Sequence, residues 1–187
     1  MNNRDYKTFY KGGVYHLYNR GNNKEPIFLN EQDYLNMLYR LAIILNKTPF
    51  LRESSKLKLK PLPEGSFSLI TYCLMPNHYH FEIRQNTAIT IDRLIAKLFT
   101  SYAKYFNKKY ARVGNLFQDA FKAKRLDSDA NLIQLSAYVH CNPSQPFKYK
   151  FSSLNEYLNP NVSGLCDTNI ILNYFDNKPE KYLDYIE

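Results

Sequence analysis

Met75-Pro76-Asn77-His78-Tyr79-His80-Phe81-Glu82-Ile83 reads as a tight turn feeding a β-strand with histidine at alternate positions. Successive strand side chains point to opposite faces, so His78, His80 and Glu82 share one side and Tyr79, Phe81 and Ile83 the other. The apolar trio marks the core-facing side. The two imidazoles stand about 7 Å apart on the opposite side, close enough for two neutral rings to hold one metal ion. The same pattern also describes an ordinary polar strand face, and the pair alone does not decide between them. Glu82 is a proton acceptor only by position; a surface carboxylate is the simpler reading.

Upstream, Ser66 to Leu74 supplies the other arm of a hairpin with His78 to Arg84. Gly13 to Asn19 forms a first strand closed by Arg20-Gly21-Asn22-Asn23, and Asn30 or Glu31 to Leu45 forms a helix with Tyr34, Leu35, Leu38, Leu41 and Ala42 on one stripe. Lys47 to Gly65 is a basic, proline-bearing loop carrying Lys56, Lys58 and Lys60. Downstream come a helix over Ile89 to Asn107, a strand over Phe121 to Leu126, and a short helix capped at Ser128 or Asp129 and ended by Asn142-Pro143. The order β-α-β-β-α-β-α closes naturally as an α+β fold, a ferredoxin-like antiparallel sheet with helices packed on one face. Residues 1–143 make the main domain, and 144–187 form an extension packed on it or appended to it.

The chain has 187 residues, 44% of them hydrophobic and 16% aromatic, which excludes a disordered protein. No apolar run reaches the length of a membrane span, and the polar N-terminus has no export signal. Three widely spaced cysteines, Cys73, Cys141 and Cys166, form neither a disulfide framework nor a zinc knuckle. A reducing cytoplasm is the expected location.

The formal charge of +8 is local. Between Arg93 and Arg125 nine basic residues (Arg93, Lys97, Lys104, Lys108, Lys109, Arg112, Lys122, Lys124 and Arg125) face one acid, Asp119, so this window carries the whole excess. So localised a field suits an extended polyanion, although a solvated basic face fits the charge equally. On the second helix, Ile91, Leu94, Ile95, Leu98, Phe99, Tyr102, Tyr105 and Phe106 fall on one side. Arg93, Lys97, Lys104 and Lys108 make a cationic stripe opposite. The last helix holds Tyr138 and Asn142 four residues apart on one face, beside a buried stripe of Leu132, Leu135 and Val139. Spacing alone gives these two no role beyond a surface tyrosine and a C-terminal cap.

Five segments in consistent order resemble the IS200-like, single-tyrosine HUH transposases. They are Tyr15-His16-Leu17-Tyr18-Asn19-Arg20-Gly21-Asn22-Asn23, Leu74 to His80, Ser101-Tyr102-Ala103-Lys104-Tyr105-Phe106-Asn107, Gly114-Asn115-Leu116-Phe117-Gln118 and Tyr138-Val139-His140-Cys141-Asn142-Pro143. Within the family the REP-associated tyrosine transposases look most similar, and the resemblance spans about residues 12 to 143. It implies an HUH-endonuclease fold in which His78 and His80 bind a divalent metal, Mg²⁺ or Mn²⁺. Asn142 completes that site and Tyr138 is the nucleophile.

The implied reaction is cleavage and rejoining of single-stranded DNA beside a hairpin through a 5′-phosphotyrosine, which retains the phosphoester and needs no ATP. Arg93, Lys97, Lys104, Lys108, Arg112, Lys122, Lys124 and Arg125 are the expected DNA contacts. His16 and His140 read as structural residues or DNA contacts. The partner is hairpin-bearing single-stranded DNA, the location is with the nucleoid, and a monomer is expected over a homodimer. Two departures touch recognition: Ala120 stands where many relatives carry arginine, and Ser144-Gln145-Pro146 does not follow the usual continuation. The competing functions are a domesticated hairpin-binding protein without transposition and a metal-dependent phosphoester hydrolase.

Overall fold

The computed structural model describes residues 8–47, 59–159 and 164–187. Most of the basic loop, with Lys56 and Lys58, lies outside them. Four strands, β1 (Val14–Arg20), β2 (Phe67–Met75), β3 (His78–Gln85) and β4 (Lys122–Leu126), form an antiparallel sheet in the order β2-β3-β1-β4. Helices α1 (Glu31–Ile44) and α2 (Ile91–Lys109) cover one face. Tyr15, Leu17, Tyr79, Phe81 and Ile83 are packed there with Met37 and Leu41 of α1 and with Leu98, Phe99 and Tyr102 of α2. The rings of Tyr79 and Phe99 stack at 4.3 Å. The alternation in β3 therefore points its apolar trio into the larger core, as the sequence predicts.

Local chemistry sets the helix ends. Asn30 and Asp33 form a reciprocal capping box at the start of α1. The Ser128 hydroxyl accepts from the Asn131 amide to start α3 (Asp129–His140). A bulge at Ile70 shifts the β2–β3 register from Leu69↔Ile83 to Thr71↔Glu82. One inserted residue thus sends Ile70 to the second core while Leu69, Tyr72 and Leu74 stay with the first.

The opposite face of the sheet is covered as well. Helix α3 and the extension, with α4 (Leu154–Leu158), α5 (Asn169–Leu172) and α6 (Pro179–Ile186), pack there. They build a second core of Ile70, Leu132, Leu154, Tyr157, Ile171, Leu172 and Tyr182. The extension also runs along the outer edge of β2, where Leu74 N–H donates to the Phe151 carbonyl at 2.9 Å and Ser153 N–H to the Tyr72 carbonyl at 2.9 Å.

His140 ties these pieces together. It is fully buried, with Nδ1 hydrogen-bonded to the Tyr182 hydroxyl and Nε2 to Ser153 Oγ, each at 2.7 Å. One nitrogen donates and the other accepts, so the neutral ring satisfies both partners. Burial holds its pKa down to about 3.

An unfolded histidine takes up a proton near pH 6.5, whereas the folded one stays neutral to near pH 3, so this stability is present above 6.5 and lost as pH falls. Between pH 7 and pH 5 the wild type should lose about 2 kcal/mol more unfolding free energy than His140→Gln, whose amide does not titrate. Urea melts of both proteins in chelator across that range check it; parallel profiles contradict the assignment.

Candidate functional site

The turn at Pro76-Asn77 brings the histidine strand to one end of the sheet and is itself pinned. Ile27 N–H donates to the Pro76 carbonyl at 2.8 Å, Gly21 N–H to the Asn77 carbonyl at 2.8 Å, and the Asn77 amide to the Lys24 carbonyl at 3.0 Å. Gly21 is required here, because a Cβ would stand 2.1 Å from the Glu25 carbonyl oxygen. Asn23 and Lys24 follow with φ of 52° and 61°, a left-handed pair that side-chain-bearing residues seldom adopt. The Arg20-Gly21-Asn22-Asn23 motif is thus a buttress for the histidine turn.

Helix α3 crosses this end on the histidine face. The ring of Tyr138 lies edge-on to that of His80 with centroids 5.7 Å apart, and its side chain is 53% exposed. One turn later Asn142 Oδ1 stands 3.2 Å from His78 Nε2. The rings of His78 and His80 are 5.2 Å apart and perpendicular. Four residues from two segments 60 positions apart in sequence therefore converge.

The outer nitrogens of both histidines are engaged. His78 Nδ1 hydrogen-bonds Asn77 Oδ1 at 2.7 Å, and His80 Nδ1 hydrogen-bonds His16 Nε2 at 2.8 Å. Burial is the main cause that lowers the pKa of His78, and it carries His80 to about 3 and His16 to about 4. Repulsion from neighbouring His16 and His78 adds to the shift of His80, and nearby Lys124 to that of His16. All three rings are neutral near pH 7, the form that ligates metals.

If a neutral His78 donates from Nδ1 to Asn77, its Nε2 lone pair faces the Asn142 carbonyl oxygen. Two acceptors at 3.2 Å repel unless a cation lies between them. Adjacent ligands on an octahedral ion with bonds of about 2.1 Å stand about 3 Å apart. The spacing of His78 and Asn142 thus fits two adjacent ligands of a divalent cation, with the His80 ring beside them. Among the described residues no group of three or more His, Cys, Asp or Glu could hold a metal ion, so a third protein donor here would have to be the Asn142 amide oxygen.

Beside the histidines lies a cavity of about 460 Å³ lined by Tyr18, Arg20, Lys24, Gln118, Asp119 and Lys122 among others. Lys122 Nζ sits 6.0 Å over the Tyr18 ring. Lys124 pairs in register with His16 and so shares the histidine face. The structure divides the remaining sequence-predicted DNA contacts. Arg93, Lys97, Lys104 and Lys108 are on α2, behind the sheet from the histidines, and Arg112 bonds Asn107 and Glu25. Arg125 turns to the Tyr15 side and pairs with Asp127. Sequence reasoning missed Arg20, which the resembling Arg20-to-Asn23 motif could have flagged, Lys24 just after it, and Asn77 and His16 as partners of the two histidines.

Glu82 corrects an expectation. It is not a surface carboxylate: α3 and the extension cover its side of the sheet, and it has no exposure. Thr71 donates to Oε2 at 3.1 Å, and among the described residues Oε1 has no partner. Burial, only partly opposed by the Thr71 hydrogen bond, pushes its pKa up to about 8. The unfolded carboxyl ionises near pH 4.5 and the folded one near 8, so stability falls as pH rises through that window. Glu82→Gln should therefore gain stability relative to wild type, by roughly 2 kcal/mol more at pH 7 than at pH 5. Melts in chelator test this; a gain independent of pH contradicts it.

No curated protein sequence matches the chain. Among solved structures, that of a REP-associated tyrosine transposase bound to a REP hairpin is similar at TM-score 0.57, with 14% identity over 81% of this chain and 83% of the other. That likeness is one of fold. A provisionally assigned transposase from Deinococcus radiodurans R1 aligns at TM-score 0.43 with 16% identity over 73% of this chain and 94% of its own, too distant to carry weight. The family model for IS200-like transposases matches residues 35–142. That region runs from α1 through the strand of His78 and His80 to Tyr138 and Asn142 and takes in more than half of the chain, which therefore belongs to the IS200-like transposase family.

Proposed function

We propose that this transposase cleaves and rejoins single-stranded DNA beside a hairpin, with Tyr138 as nucleophile and a 5′-phosphotyrosine as intermediate. The observation that carries the reading is the convergence of Tyr138 of α3, and of Asn142 just past its C-terminal end, on His78 and His80 of β3. The hairpin-bound structure of the similarly folded REP-associated transposase supports the choice of DNA.

In the forward step the Tyr138 oxygen forms a bond to phosphorus and the bond to the 3′ oxygen breaks. The phenol loses its proton to solvent, which reaches the half-exposed ring, and the departing 3′ oxygen ends as a hydroxyl. Rejoining reverses the exchange without external energy. Mg²⁺ or Mn²⁺, when held by His78, His80 and Asn142, supplies charge to polarise a non-bridging phosphate oxygen. With only one oxygen donor among the three, binding to Mg²⁺ is weak and Mn²⁺ is the better match. Lys122, Arg20 and Lys24 carry positive charge to the cavity, where a strand backbone would pass, and Lys124 adds charge on the same face of the sheet.

The test is a denaturing gel of end-labelled hairpin DNA with Mn²⁺. Wild type should give a covalent protein–DNA band, and Tyr138→Phe and the double substitution His78→Ala/His80→Ala should give none. Specific binding without a band in wild type would instead indicate a hairpin-binding protein, and turnover surviving in Tyr138→Phe a hydrolase.

Charge placement gives a second expectation. Lys122→Gln/Lys124→Gln should weaken hairpin DNA binding irrespective of sequence and lower the slope of log affinity against log salt by about 1.4, at about 0.7 per lost phosphate contact. Lys104→Gln/Lys108→Gln, behind the sheet, should change it less. Salt titrations by fluorescence anisotropy decide; the reverse ranking would place the strand on α2.

A further inference from the structure

His80 can face a metal through Nε2 only if its single neutral proton sits on Nδ1. Its Nδ1 meets the Nε2 of His16, at 2.8 Å. The two rings lie within 19° of coplanar orientation, with centroids 5.1 Å apart, a geometry that directs an N–H along the plane of the acceptor ring. The space between the two nitrogens holds one proton. On His80 Nδ1 it leaves the Nε2 lone pair free; on His16 Nε2 it forces His80 to accept at Nδ1 and carry its own proton on Nε2, where it cannot ligate.

We propose that His16 is a positioning residue that accepts the Nδ1 proton of His80 and so fixes the ligating tautomer and ring orientation of His80. Both rings are buried, at 9% and 7% exposure, so water does not compete for the bond. Tyr18 stacks on the His16 ring at 4.7 Å and lies 6.0 Å from His80, which limits rotation of either imidazole. The arrangement parallels the Asn77–His78 bond, in which a side-chain oxygen takes the proton of the other histidine. Hydrogen bonds of this kind behind metal-bound histidines fix tautomer and raise ligand basicity. Here the supporting groups come from two different segments, β1 and the hairpin turn. The consequence for metal binding rests on the proposed metal site; the tautomer assignment does not.

Two substitutions separate hydrogen bonding from packing. His16→Gln keeps an acceptor oxygen close to the Nε2 position, and His16→Met fills comparable space without a strong acceptor. Two-bond ¹H–¹⁵N spectra of the metal-free proteins distinguish the two neutral tautomers, and with four histidines in the chain the His80 signals can be assigned by substitution. His80 should carry its proton on Nδ1 in wild type and His16→Gln, and shift to the Nε2–H form in His16→Met. Calorimetric Mn²⁺ titration should show affinity falling about 10- to 100-fold in His16→Met and staying near wild type in His16→Gln.

An unchanged His80 tautomer in His16→Met overturns the proposal. So does a shifted tautomer with unchanged Mn²⁺ affinity, because it removes the positioning role. If wild type binds no Mn²⁺, the metal reading itself fails, and the tautomer comparison alone decides whether His16 orients His80.

Discussion

The candidate site exists only while α3 stays against the histidine face of the sheet, and residues beyond Asn142 add to that hold. A fully buried imidazole, His140, is clamped between a hydroxyl on α6 and one just ahead of α4. Tyr138 and Asn142 lie two residues to either side of it in sequence. The same hydroxyl of Ser153 also accepts from the Tyr72 amide at 2.9 Å. Sheet, helix and extension thus meet at one hydrogen-bonded point. Because such groups are costly to leave unpaired in a dry interior, loosening the extension exposes the clamp and releases the helix. The placement of Tyr138 against the histidines thus draws on the far end of the chain as well as on the sheet.

What the sequence revealed and what it concealed have separate physical origins. Strand alternation and helical spacing depend on neighbours along the chain, so the hairpin, α1, α2 and the partition of Tyr79, Phe81 and Ile83 into the core were legible. Alternation also put His78, His80 and Glu82 on one side, but it is silent on what covers that side. Glu82 was misread for that reason. His16 was read as a structural residue or DNA contact, and its link to His80 stayed hidden because it depends on the β1–β3 register, in which Tyr18 stands opposite His80 and His16 opposite Glu82; no local pattern carries a register. The convergence of Tyr138 with the histidines came from family resemblance, since spacing says nothing about which face of a sheet a later helix will take. The extension was unreadable because its helices span only four to eight residues, too short for periodicity to stand out.

The charge pattern shows a similar split. One basic window in the sequence becomes two surfaces in space, with Lys122 and Lys124 beside the histidines and the α2 stripe behind the sheet. Linear clustering is therefore a poor guide to which cations act together here. Arg20 and Lys24, outside that window, belong with the first surface.

The path of the extension along β2 has a consequence for assembly. A four-stranded open sheet ordinarily offers two rows of unpaired backbone groups to other chains. Here one row is already occupied, by Leu74 and Tyr72 pairing with Phe151 and Ser153. The other belongs to β4, a five-residue strand bearing Lys122, Lys124 and Arg125. Two copies brought together there would set like charges against each other. Strand-to-strand growth of this protein is thus blocked sterically on one side and electrostatically on the other, and a polyanion lying along β4 would relieve only the second.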